Sequence, residues 1–89
     1  MKTLIIDVRE PEEYAKDHVE GAINIPPNEL IGSAPKLEDE PRDTRLVLYC
    51  VTGARSRASI GLLRGRGFTN LHNGINQHHV KQMIARGQL

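Results

Sequence analysis

Hydrophobic positions along the chain fall in short runs divided by longer polar stretches. Residues 3–8 (TLIIDV) are short, β-branched and apolar, and predict a buried strand. Residues 9–18 (REPEEYAKDH) predict a helix: Pro11 suits its first turn, and Glu10, Glu12 and Glu13 sit where the helix dipole favours negative charge. Residues 21–26 (GAINIP) read as a second short strand, closed by Pro26 and Pro27. One or two helical turns follow at residues 28–32, with Asn28 as the candidate N-cap. Residues 33–44 (SAPKLEDEPRDT) read as a polar loop.

The strongest strand signal is residues 45–49 (RLVLY), four apolar positions in a row, as a central parallel strand covered on both faces requires. It runs directly into Cys50. After a glycine-containing turn, residues 55–68 predict a helix on which Ala58 pairs with Leu62 and Ser59 with Leu63 along shared faces. Gly67 is the candidate left-handed cap, with Phe68 folding back on Leu63. Residues 69–73 (TNLHN) predict a last short strand, and residues 76–87 a final helix with Val80, Met83 and Ile84 as its buried stripe. Strands thus alternate with helices, the pattern of an α/β fold: a small parallel sheet with helices on both faces. In such sheets ligands bind at the carboxyl ends of the strands, and Cys50 stands at one of them.

The chain has 89 residues, enough for a single domain over 1–89 and too few for two. Aromatic residues make up 3% and tryptophan is absent, so the core is aliphatic and modest. With 12 basic against 11 acidic residues, the net charge of +1 gives no reason to expect nucleic acid or an anionic membrane as partner. No apolar run is long enough to span a membrane, and the N-terminus MKTLIIDVRE lacks the apolar length of a signal peptide. A cytoplasmic monomer is expected; a mature periplasmic form carrying an added methionine would read the same way. The signs of charge are unevenly placed, with arginines crowding residues 55–66 beside the only cysteine.

That cysteine carries the chemistry. Peptide N–H groups of a tight loop and of a helix's first turn have no internal partners. A loop curling around Cys50 turns them toward its sulfur and forms an anion cradle at the positive end of the helix dipole. Gly53 permits the curl, because glycine takes positive φ without steric cost. Arg55 adds a fixed positive charge, and Thr52 and Ser56 offer hydroxyls that either bind a sulfur species or cap the helix. Such a field favours the thiolate and any anionic adduct on it, whether persulfide, phosphate or arsenate. The competing reading is a small buried hydrophobe at a strand end.

The run C-V-T-G-A-R-S resembles the active-site loop of the rhodanese family, the sulfurtransferases. IIDVREPEEYAKDHVEGAINIP is similar to that family's N-terminal signature, and LLRGRGFTNLHNGI to the segment after its active-site helix. The resemblance covers nearly the whole chain. It departs at Gly74, which stands alone where a pair of glycines is common, and at His78 and His79, where an aromatic residue often follows. It also departs at the start, where many members carry an extra strand or helix before the Asp-Val-Arg.

The resemblance implies a rhodanese-like fold and a thiosulfate sulfurtransferase. Cys50 is the nucleophile. Val51, Thr52, Gly53, Ala54, Arg55 and Ser56 bind a small anionic sulfur donor, and a thiol or protein cysteine accepts the sulfur. It implies that Asp7 and Arg9 form a wall beside the loop, although a strand-end ion pair is an equal reading of those two. Arg57 is a further supporting cation. Two alternatives stand beside this: a phosphatase or arsenate reductase on the same fold, and a non-catalytic sulfur carrier or regulatory binding module. The loop spacing C-x-x-G-x-R places four residues between Cys50 and Arg55, one fewer than in the related phosphatases, and argues for sulfur. No cofactor is implied. No metal is expected either, since His78 and His79 point about 100° apart on a helix and no second cysteine exists.

Overall fold

The computed structural model describes residues 2–89. Strand β1 (Thr3–Asp7) leads to helix α1 (Pro11–Lys16), β2 (Ile23–Asn24) to α2 (Pro27–Ile31), β3 (Arg45–Cys50) to α3 (Ala54–Gly65), and β4 (Leu71–Asn76) to α4 (Gln77–Ala85). A single 3-10 turn, Pro35–Leu37, lies between α2 and β3. The strands form one parallel sheet in the order β2-β1-β3-β4. The chain therefore steps outward from β1 to β2, returns past β1 to β3, and continues outward to β4. The order reverses between β1 and β3, so the carboxyl ends of these two strands flank a switch point, the place where open α/β sheets form their binding crevice. The Val8 N–H donates to the Tyr49 carbonyl at 3.0 Å and ties the two ends together.

Alternation along the strands divides the core in two. Ile6, Val8, Leu46, Leu48 and Cys50 face one layer with Leu30, Leu37, Leu63 and Phe68. Val47 and Tyr49 face the other, with Val19, Ala22 and Val80. The predicted helices on both faces are thus present, and β3 is buried on both sides, as its unbroken apolar run requires.

The C-terminal cap of α3 forms as its sequence dictates. Gly67 takes φ of 96°, the Phe68 N–H donates to the Leu63 carbonyl and the Gly67 N–H to that of Arg64, a Schellman arrangement, with Phe68 and Leu63 in the same core layer.

Several expectations need correction. Helix α1 is shorter than residues 9–18, because Asp17 is extended and His18 instead stacks on Tyr14 at 3.7 Å. Helix α2 starts at Pro27 with Pro26 as its N-cap, so Asn28 is not the cap. The stretch 33–44 is not wholly polar loop: Ala34 and Leu37 are buried, and just before it Arg66, the C-cap of α3, donates to the carbonyls of Leu30 and Gly32 at the end of α2. On α3 the buried face is Ser56, Ser59 and Leu63, while Leu62 is exposed. On α4 only Val80 is fully buried, and Ile84 is 44% exposed.

Strand β4 runs to Asn76 rather than ending at residue 73, because it contains a bulge. Leu48 faces Asn73 but Tyr49 faces Ile75, so Gly74 is the extra residue. A Cβ at Gly74 would lie 2.6 Å from Val80 Cγ2 and 3.0 Å from Val47 Cγ1. Only glycine lets β4 approach α4 this closely. Gly74→Ala is expected to lower stability by about 1–3 kcal/mol, the usual cost of overpacking, measurable as a reduced denaturation midpoint at unchanged slope.

Candidate active site

Cys50 ends β3 and is 2% exposed. The chain turns at once: Gly53, at φ of 92°, caps α3, and its N–H donates to Cys50 Sγ at 3.1 Å. A side chain at this φ is strained, which is why the loop carries glycine. Ser56 Oγ lies 3.6 Å from the sulfur. Burial pushes the Cys50 thiol up, but the Ser56 hydroxyl and the N–H groups of Ser56, Gly53 and Thr52 outweigh it and hold the thiol below its ordinary value. The loop thus sets the Gly53 N–H on the sulfur, and its donors lower the thiol.

The predicted loop residues divide by exposure. Val51, Thr52 and Ala54 face solvent at the mouth, whereas Gly53 and Ser56 are buried against the sulfur. Thr52 Oγ1 accepts from the Ala54 N–H at 3.4 Å, a weak local bond. Arg57 is exposed and lines a cleft of about 360 Å³ with Thr52, Gly53, Ala54, Asn73 and Ile75.

Arg55 is not a free cation. Its Nη1 and Nη2 donate to the two oxygens of Glu13 at 2.9 and 3.3 Å, joining α3 to α1 across the crevice. Glu13 also accepts from the Glu10 N–H at 3.0 Å. Arg55, then the Glu10 N–H, pull the Glu13 carboxyl down to about 2. An anionic ligand reaching for Arg55 competes with this carboxylate.

Asp7 and Arg9 form a buried pair on the face of the sheet opposite Cys50. Arg9 Nη2 donates to Asp7 Oδ2 at 2.6 Å and to the Asp17 carbonyl at 2.6 Å. The Tyr49 hydroxyl donates to Asp7 Oδ2 at 2.9 Å and accepts from the Val19 N–H at 3.0 Å. Burial keeps this phenol protonated and able to donate. The network braces the end of β1 against β3, and its hydrogen bonds run among Asp7, Arg9, Asp17, Val19 and Tyr49 rather than to the sulfur. Among the described residues no group of three or more His, Cys, Asp or Glu side chains could hold a metal ion, and no helix is long and apolar enough to cross a membrane.

Two participants are not legible as such in the sequence: Glu13 and Asn73. Glu13 carries only the signal of an acid favoured by the helix dipole. Asn73 has a local signal, an isolated glycine beside it in a strand pattern, which marks bulges.

This geometry has counterparts. The family model for the rhodanese-like domain matches residues 1–80. The thiosulfate sulfurtransferase PspE of Escherichia coli is 38% identical over 82 residues, covering 92% of this chain and 78% of that protein. The probable adenylyltransferase/sulfurtransferase MoeZ of Mycobacterium tuberculosis is 40% identical over 77 residues, but the chain spans only 19% of its length. Among solved structures, a rhodanese with anions from E. coli superposes with a TM-score of 0.76 at 31% identity, over 86% of this chain and 89% of that one. The human single-domain sulfurtransferase TSTD1 does so with 0.74 at 26% identity, over 91% and 83%.

Proposed function

The chain belongs to the rhodanese-like domain family, and from that membership we propose that it is a sulfurtransferase working through a persulfide on Cys50. The observation that carries this reading is the 3.1 Å approach of the Gly53 N–H to Cys50 Sγ. The donors converge on the sulfur itself. One added sulfur atom fits that arrangement better than a phosphoryl group, whose oxygens need donors farther out.

The reaction balances without a cofactor. The Cys50 thiolate attacks the outer sulfur of thiosulfate; the new S–S bond forms as the S–S bond to the sulfonate breaks, and sulfite leaves with the electron pair. A perthiolate remains in the cradle, its negative charge facing the loop N–H groups. An acceptor thiolate, or cyanide in an assay, then takes the outer sulfur and returns Cys50 to thiolate. This is covalent catalysis in two displacements, with the loop donors that lower the Cys50 thiol helping to expose the nucleophilic thiolate. The donor is a small sulfane-sulfur anion, and the acceptor a thiol or a protein cysteine.

Intact mass after incubation with thiosulfate tests the reading directly: a gain of one sulfur atom, removed by cyanide, is expected. An unmodified protein that hydrolyses aryl phosphates would replace it with the phosphatase alternative, and a protein that does neither would be a binding module.

Arg55→Ala is expected to raise KM for thiosulfate about tenfold or more, from loss of a charge-assisted hydrogen bond, with little change in the cyanide step. An unchanged KM would mean that Glu13 keeps Arg55 occupied throughout turnover and that the backbone alone binds the donor.

A further inference from the structure

The bulge in β4 has a chemical use. An extra residue in a strand re-aims its neighbours, and bulges occur preferentially beside active sites. Here it stands next to two unusual features. Ile75 adopts φ of 70°, a left-handed conformation that is an outlier for a β-branched residue. Asn73, immediately before Gly74, turns its amide onto the cysteine loop. Asn73 Nδ2 donates to the Gly53 carbonyl at 3.1 Å, and Oδ1 accepts from the Ser56 hydroxyl at 2.6 Å and from the Ile75 N–H at 2.9 Å. The Ile75 bond fixes which way the amide faces, since an N–H requires an oxygen there.

Gly53 and Ser56 are the two buried loop residues whose groups lie on Cys50 Sγ. The Ser56 hydroxyl has one proton and three acceptors within reach: Asn73 Oδ1 at 2.6 Å, the Gly53 carbonyl at 3.1 Å and Cys50 Sγ at 3.6 Å. Asn73 is the nearest, so the Ser56 side chain is held against β4 and beside the sulfur, where its hydroxyl and its peptide N–H both lower the thiol. The Gly53 carbonyl is gripped from β4 while the N–H of the same residue points at the thiol. Strain of the kind seen at Ile75 persists only where surrounding structure over-determines it, and the Asn73 bond to its N–H is part of that structure.

We infer that Asn73 is a positioning residue for Cys50: carried into place by the β4 bulge, it clamps Gly53 and Ser56 so that their donors stay on the sulfur. The inference rests on Cys50 being the reactive thiol and is independent of which sulfur donor the protein uses.

The test is alkylation of Cys50 by iodoacetamide, followed across pH in the intact chain. Other ionisable groups around the site are retained in the variants: Arg55 with Glu13 of α1 behind it, Arg57 on the open side of α3, and the Asp7–Arg9 pair at the end of β1. Glu29 and Lys36 beside α2, and His79 of α4 on the Gly74 carbonyl, are retained as well. Asn73→Ala is expected to displace the rate profile to higher pH and slow alkylation at neutral pH about tenfold, the effect of losing about one hydrogen bond's worth of anion stabilisation, while the high-pH plateau is kept. Asn73→Asp keeps the size and the acceptor for Ser56 but sets an oxygen against the Gly53 carbonyl and adds a negative charge; it is expected to displace the profile at least as far, and it serves as the second probe should the alanine variant fail to fold. An unmoved profile in the folded variants, a shift to lower pH, or a uniform loss of rate at every pH overturns the inference, the last being the mark of structural support alone. Because the readout involves no sulfur transfer, a wild-type protein inert toward thiosulfate but showing the Asn73-dependent shift would remove the proposed function and leave this inference standing.

Discussion

Replacing Cys50 with serine is expected to abolish sulfur transfer from thiosulfate to cyanide, lowering it by more than about a hundredfold, while leaving the fold in place. Serine is nearly isosteric, and its oxygen can accept the Gly53 N–H that now rests on Sγ. The cost is confined to exchanging a buried thiol for a hydroxyl among Leu48, Leu63 and their neighbours. What disappears is chemistry that oxygen cannot supply: a hydroxyl beside the same donors stays protonated near neutrality and cannot take up a sulfane sulfur. Steady-state assay of the purified variant, with circular dichroism as the check on folding, decides the matter. Activity above a tenth of the parent protein would remove Cys50 from the role of nucleophile.

Asp7→Ala is expected to have the largest effect on stability. The Asp7 carboxylate is fully buried and accepts from the Arg9 N–H, the Arg9 guanidinium and the Tyr49 hydroxyl. Its removal leaves the guanidinium of Arg9, a residue only 7% exposed, bonded to the Asp17 carbonyl but without its carboxylate. It also strands the Tyr49 hydroxyl as a donor. Breaking a buried ion pair from one side typically costs about 3–5 kcal/mol. A chain of 89 residues has in total roughly 4–13 kcal/mol, at about 0.05–0.15 per residue, so the loss is a large share of the whole. The melting temperature should fall by more than about 10 °C. A drop under about 1 kcal/mol by denaturant titration would show that water relieves Arg9 and that the pair is not a structural brace. Because the pair lies on the far side of the sheet from the thiol, the fraction that remains folded should alkylate at Cys50 at the parental rate.

These two residues also mark what the sequence reveals and what it hides. Strands β1 and β3 are legible because residues buried on both faces leave an uninterrupted apolar run, and Gly67 with Phe68 announces the end of α3 through backbone chemistry local to four or five residues. Strand β4 is not legible past residue 73, because its continuation is carried by Asn73, Gly74 and Asn76, whose partners lie on the cysteine loop and α4. The 33–44 stretch reads as solvent-facing because only Ala34 and Leu37 turn inward among charged neighbours. Within the site, the places of Cys50 and Gly53 follow from the strand–loop–helix logic, whereas that logic leaves Ser56 between binding sulfur and capping the helix. The engagement of Arg55 by Glu13 does not follow from it, since 42 residues separate them and both charges have ordinary readings where they stand. The identity of an anion clamp depends on what else faces it, which linear order does not record.

The double burial of β3 has a dynamic consequence. This strand is hydrogen-bonded to β1 on one edge and β4 on the other, and it is packed on both faces by separate core layers. Amides in such a strand exchange with solvent only through the largest opening of a domain, whereas short edge elements open in smaller, independent steps. Strand β2, with two residues, and the 3-10 turn belong to that second group. Cys50 is the last residue of the slowest-opening unit. Fluctuations at the β2 edge of the sheet can come and go while Cys50 keeps its place at the end of β3.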